Sequence, residues 1–128
     1  ILSNIAIGES KSYIDMSKIN KVIELSNMVD FIGDSSKKLS SKVGTKGVKL
    51  SGGQIQRIGI ARALYRDPKI IFFDEATSSL DEKNETKILK NIFKIFNNRT
   101  IVFVTHKKQL IKYFDKVIKV DNGRVTTP

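Results

Sequence analysis

The segment KLSGGQIQRIGIARALYRDPKIIFFDEATSSLD, from Lys49 to Asp81, decides how the chain is read. Two adjacent glycines, Gly52 and Gly53, stand where a helix is about to begin. Ser51 before them is a favoured N-cap residue, because its hydroxyl can accept an unpaired amide of the first turn. Ile55, Ile58, Ala61 and Leu64 then recur at helical spacing, which predicts a helix from Ser51 to about Tyr65. Asp67 and Pro68 end it. The run Lys69 to Phe73 reads as a strand buried on both faces, and it stops at two carboxylates, Asp74 and Glu75.

The flanks extend this pattern. Upstream, Ile19, Val22, Ile23 and Val29 fall on one face of a helix predicted from about Ser17 to Phe31. Gly33 to Lys49, rich in serine, lysine and glycine, reads as a loop. Downstream, Ile88, Leu89, Ile92, Ile95 and Phe96 mark a helix over Glu82 to Phe96, and Thr100 to Thr105 reads as a second buried strand. Asp121, Asn122 and Gly123 predict a hairpin turn between Lys116–Val120 and Arg124–Thr127. Strand, helix, strand with apolar strands is the pattern of a parallel sheet in an α/β fold. In such sheets the working residues stand beyond the carboxyl ends of the strands.

Composition limits the alternatives. A chain of 128 residues with 40% apolar side chains can bury one core, and its longest apolar runs are far too short to span a bilayer. No signal-peptide pattern is present. The chain starts at Ile1, within what reads as structured sequence, and is expected to be part of a longer polypeptide. The lack of cysteine excludes disulfides and thiolate chemistry. A net charge of +10 is compatible with nucleic acid or an anionic membrane surface. The lysines are spread along the chain, however, with Lys83, Lys87, Lys90 and Lys94 on one helix face and few aromatics between them. That distribution favours a solvated surface.

Three groups of residues bear on chemistry, each with an ordinary reading beside the functional one. Asp74 and Glu75 end a strand, as acids do when a chain leaves its core. Adjacent carboxylates there can also divide labour, one organising a magnesium ion through water and the other polarising an attacking water. His106 is the single histidine. It is either a structural or solvated imidazole or a group placed level with the two acids to sense a terminal phosphate. Ser51, Gly52, Gly53 and Gln54 form either a flexible helix start or an anion cradle, where free amides and the helix dipole favour a phosphate.

Taken together, LSGGQ at Leu50–Gln54, IIFFDE at Ile70–Glu75, SSLD at Ser78–Asp81 and TH at Thr105–His106 resemble the ATP-binding cassette (ABC) ATPases in order and spacing. The likeness runs from NIAIG at Asn4–Gly8 to the DNGRV turn. It implies a partial P-loop NTPase-like ABC ATPase fold: a helical subdomain with the signature motif over 1–66, then over 67–128 part of a parallel-sheet core with a C-terminal hairpin. In that family two ATPase domains clasp two ATP molecules head to tail. By resemblance, Ser51, Gly52, Gly53 and Gln54 bind the partner's ATP, Asp74 organises Mg2+, Glu75 is the general base and His106 the switch histidine. Ser78 and Asp81 belong to the loop that couples the two sites.

SNIAIGE and KVGTKGVKLSGGQ resemble the exporter branch. This implies a homodimer joined to a transmembrane domain at the cytoplasmic face of the membrane, with Lys42 to Val48 near that domain and no nucleic acid as partner. The family's G-x-x-x-x-G-K-[ST] loop, its adenine-stacking aromatic and its linking glutamine are absent and are expected before Ile1. The 128 residues alone are therefore expected to bind ATP weakly and not hydrolyse it. Two alternatives remain from the sequence: a soluble ABC-type ATPase acting on nucleic acid, and a non-catalytic half-site fragment.

Overall fold

A computed structural model describes residues 1–33, 36–41, 50–96 and 98–127, without the side chains of 36 and 37. A short helix α1 (Leu2–Ile5) is followed by a 3₁₀ turn (Lys11–Tyr13) and by α2 (Met16–Leu25). Asp15 caps α2, its carboxylate accepting from the amides of Ser17 at 3.0 Å and Lys18 at 3.1 Å. Ile19, Val22, Ile23 and Leu25 face the core.

The helix expected to reach Phe31 stops six residues short of it. The buried Ser26 hydroxyl donates to the Val22 carbonyl at 2.6 Å, and Asn27 turns left-handed at φ 53°. Distant partners support that break: the Asn27 amide donates to Asn84 Oδ1 at 2.6 Å, and Arg57 Nη1 donates to the Asn27 carbonyl at 2.8 Å. The chain resumes as α3 (Val29–Ile32) with Val29, expected on the buried face, now exposed. Within the expected loop, Ser36–Leu39 forms a helical turn, α4, that buries Leu39. Lys42 to Val48 lies outside the described residues.

Helix α5 (Gly52–Tyr65) begins at a capping box, with Gln54 N donating to Ser51 Oγ at 3.3 Å and Ser51 N to Gln54 Oε1 at 3.0 Å. It buries Ile58, Ile60, Ala61, Leu64 and Tyr65, while Ile55 stays exposed. Arg62 Nε reaches the Asn4 carbonyl at 2.6 Å, and the Tyr65 hydroxyl donates to Glu9 Oε2 at 2.7 Å, so α5 carries the amino-terminal elements.

Strand β1 (Ile70–Asp74) pairs in parallel with β2 (Thr100–Val104), Ile70 opposite Thr100 and Asp74 opposite Val104, and α6 (Glu82–Ile95) makes the crossover. Ile71 and Phe73 join Ile88 and Ile92 of α6 in a core that also takes in α1, α2 and α5. The two strands are not buried on both faces as expected. Ile70 and Phe72 of β1 and their neighbours Val102 and Val104 of β2 are exposed, Phe72 at 73%. Among the described residues no second layer covers that face.

After β2, a 3₁₀ helix (Lys108–Tyr113) that the sequence pattern did not reveal plugs Leu110 into the interior. The hairpin forms as expected but shorter, β3 (Lys119–Asp121) against β4 (Arg124–Thr126). Asn122 and Gly123 supply the positive φ values, 47° and 75°, of a tight turn.

Candidate active site

Every residue singled out from the sequence lies at the carboxyl ends of β1 and β2 or at the adjoining start of α5 or α6. Asp74 closes β1, and Glu75 follows in the left-handed region at φ 46°. For a side chain with a Cβ that conformation costs on the order of 1–3 kcal/mol, so the surroundings must hold it. Two backbone bonds do: Glu75 N donates to the Val104 carbonyl at 3.1 Å, and Ser78 N donates to the Glu75 carbonyl at 3.0 Å. The result turns the Glu75 carboxylate toward β2. His106, two residues beyond that strand, places Nε2 at 2.8 Å from Glu75 Oε1. Both side chains are open to solvent, 88% and 49% exposed for His106 and Glu75.

Beside these acids lies a concavity of about 390 Å³, lined by Gln56, Gly59, Phe72, Asp74 and Glu75 among others. No group of three or more acidic, histidine or cysteine side chains able to hold a metal occurs among the described residues. A fully protein-built metal cage is therefore missing from this part of the molecule. Asp74 alone fits the other type of magnesium site, in which one carboxylate and water complete a shell supplied mainly by phosphate oxygens.

The glycine pair has a neighbour within its own chain. A Cβ on Gly52 would sit 3.5 Å from the Ser79 side chain, and one on Gly53 would press to 3.3 Å on both Leu80 Cδ2 and the Ser79 carbonyl. The first turn of α5 is thus nested against the loop after Glu75. Gln56, two residues past Gln54, fastens the contact. Its amide accepts from Ser79 N at 2.8 Å and donates to Ser78 Oγ at 2.8 Å and to the Glu75 carbonyl at 3.4 Å. Ser78 is therefore tied to α5.

Asp81 serves as N-cap of α6, accepting from Asn84 N at 2.9 Å. Hydrogen bonds from the Asn84 side chain and backbone hold the Asp81 carboxyl below its usual range.

The other side of the loop is held from within the core. Glu85 is fully buried and accepts from Lys107 Nζ at 3.0 Å, while its second oxygen has no partner among the described residues. Lys107, next to His106, also approaches the carbonyls of Thr77 at 3.3 Å and Leu80 at 3.5 Å. The sequence reading missed Gln56, Glu85 and Lys107. Glu85 had left a signal, because it occupies a position on the apolar stripe of α6 that Ile88, Leu89 and Ile92 continue.

A family model described as ABC transporter matches residues 3–78. The chain belongs to the ABC transporter family, and its fold is a partial ABC ATPase fold. The heterocyst differentiation ATP-binding protein HepA of a Nostoc species is 42% identical over 125 residues, covering 98% of this chain and 20% of that protein. The alpha-hemolysin translocation ATP-binding protein HlyB of Proteus vulgaris is 38% identical over 125 residues, covering 98% and 17%. A solved bacterial Atm1-family ABC exporter with ATP bound superposes with a TM-score of 0.86 at 33% identity, over 97% of this chain and 21% of that one. The chain spans about a fifth of the length of the curated relatives it matches.

Proposed function

We infer that these residues are the signature-bearing part of the ATP-hydrolysing domain of an ABC-type exporter, with the helical stretch 1–66 presenting the signature and 67–128 the catalytic edge. The observation that carries this reading is the Glu75–His106 contact at 2.8 Å beside Asp74, on the same edge as the Ser51–Gln54 cradle. The relatives described as export or translocation ATP-binding proteins support it.

In this reading Glu75 takes up a hydrogen bond from the attacking water and aligns it. His106 fixes the Glu75 carboxylate and contacts the terminal phosphate, and Asp74 would be the residue that holds Mg2+. When bound, Mg2+ supplies charge neutralisation on the phosphate oxygens. Ser51, Gly52, Gly53 and Gln54 present amides and a hydroxyl to an ATP held mainly by a second ATPase domain, an identical one in a homodimer. Ser78 and Asp81 line the seam between the domains. The transmembrane domain of the exporter is the other partner, and the site works at the cytoplasmic face of the membrane. Among the described residues no helix is long and apolar enough to cross a bilayer.

Because the 128 residues contain no G-x-x-x-x-G-K-[ST] loop, by themselves they bind ATP weakly and turn none over. The test compares ATP hydrolysis by the native polypeptide that carries these residues with that of its Glu75→Gln variant. Loss of a positioned general base lowers turnover by about 10²–10⁴-fold with ATP binding retained. Turnover in the variant equal to that of the parent refutes the assignment of Glu75.

A further inference from the structure

We propose that Gln56 is a positioning residue that couples the signature cradle to Glu75 through the loop between them; the proposal rests on the functional reading above. The cradle Ser51–Gln54 and the pair Glu75–His106 would act on different nucleotides, so a rigid connection between them within one chain has a mechanical use. The structure contains that connection. One amide side chain on the second turn of α5 engages three groups in the strained stretch after β1: Ser79 N, Ser78 Oγ and the Glu75 carbonyl. The close packing of Gly52 and Gly53 on Ser79 and Leu80 makes the same junction a surface contact as well as a set of hydrogen bonds.

The chemistry suits an amide and few other groups. Ser79 N needs an acceptor, while Ser78 Oγ and the second lone pair of the Glu75 carbonyl, whose first is taken by Ser78 N, can each take a donor. A side chain carrying both an acceptor and a donor at Gln56 reach serves them together. Ser78 N also bonds the Glu75 carbonyl, so Gln56 acts mainly by holding Ser78 and Ser79 in the turn that keeps Glu75 left-handed. Releasing its three bonds together loosens that turn and lets the carboxylate drift from His106. A displacement of about 1 Å at a positioned catalytic group is enough to cost on the order of 10²-fold in rate. Gln56 itself touches no nucleotide in this scheme and acts through Glu75.

The test uses the full native polypeptide, with steady-state ATP hydrolysis measured for Gln56→Met, Ser78→Ala and the pair. Met keeps the volume and helix preference of Gln56 while removing all three bonds. Gln56→Met lowers kcat by about tenfold or more with KM for ATP within about twofold, and the Hill coefficient for ATP falls toward one. The double variant is no slower than the slower single one, because both changes break one connection. A Gln56→Met protein with parental kcat and Hill coefficient overturns the proposal, as do fully additive losses. If Gln56→Met does not fold, Ser78→Ala decides: a lowered kcat at unchanged KM supports the coupling and an unchanged kcat refutes it. Glu75→Gln run alongside separates the two levels. An active Glu75→Gln variant refutes the reading of the site, whereas an inactive one beside a fully active Gln56→Met variant refutes the coupling alone.

Discussion

Replacing Lys107 by methionine is expected to loosen the loop that joins Glu75 to α6. Glu85 is fully buried, and among the described residues one of its oxygens is bound to Lys107 Nζ at 3.0 Å and the other has no partner, so Lys107 is the described cation that compensates it. Removing one member of a buried pair costs about 3–5 kcal/mol, because the remaining charge stays desolvated. The Lys107 side chain is 29% exposed, so water already screens part of the pair; roughly 2–4 kcal/mol is the expected loss here. The change also frees the carbonyls of Thr77 and Leu80, which places the opening in the loop and the first turns of α6. Amide hydrogen exchange of peptides covering residues 77–89 in the native polypeptide reads it directly. Opening there becomes about 30- to 800-fold more frequent, since each 1.4 kcal/mol is a factor of ten. The double variant Glu85→Leu, Lys107→Met restores most of the protection, because an apolar pair carries no desolvation penalty. Unchanged exchange in Lys107→Met, or a double variant as open as the single one, refutes the claim that this ion pair holds the loop.

Two further outcomes follow from local geometry. Asn27→Gly is expected to destabilise less than Asn27→Ala. Both lose the 2.6 Å bond to Asn84, which is worth about 1 kcal/mol, but only alanine adds the strain of φ 53° at a further ~1 kcal/mol; equal thermal shifts for the two would contradict the strain argument. For pH, the Arg99 guanidinium 2.6 Å from Asp67 holds that carboxyl below its usual range, as Asn84 does for Asp81. A depressed folded pKa means that their stabilisation is fully present above the ordinary aspartate value of about 4 and is lost as pH falls through the lowered folded values. Acid unfolding followed by circular dichroism should therefore lose part of its steepness below about pH 4 in the Asp67→Asn, Asp81→Asn variant, and an unaltered acid limb would count against it.

The elements that carry their own local code were legible in the sequence. The capping box of Ser51 and Gln54, the apolar stripes of α5 and α6 and the Asn122–Gly123 turn depend on residues within a turn or two of one another. Their boundaries fall within a residue or two of the expected ones, apart from the start of β3. The break at Asn27 was not legible, because its partners are Asn84, 57 positions away, and Arg57, 30 positions away. The burial of the strands failed for a related reason. An apolar run tells how a strand prefers to be packed, not which layer is there to pack on it, and Phe72 is exposed despite its composition.

The site shows the same division. The acids, the histidine and the glycines announce themselves by residue type and position, whereas Gln56 and Lys107 are ordinary surface letters until the fold brings them to the loop after Glu75. The glycine pair is the case in between. From sequence, small residues at a helix start have one obvious use, giving a phosphate access to free amides. The structure adds a second constraint on the same two positions, because a Cβ at Gly53 would meet Leu80 and the Ser79 carbonyl at 3.3 Å, tighter than ordinary contact. On the proposed reading a substitution there disturbs two things at once, the approach of an anion and the seating of α5 on the loop that holds Glu75. Gln56→Met disturbs only the second, which is why it, and not a glycine substitution, separates coupling from binding.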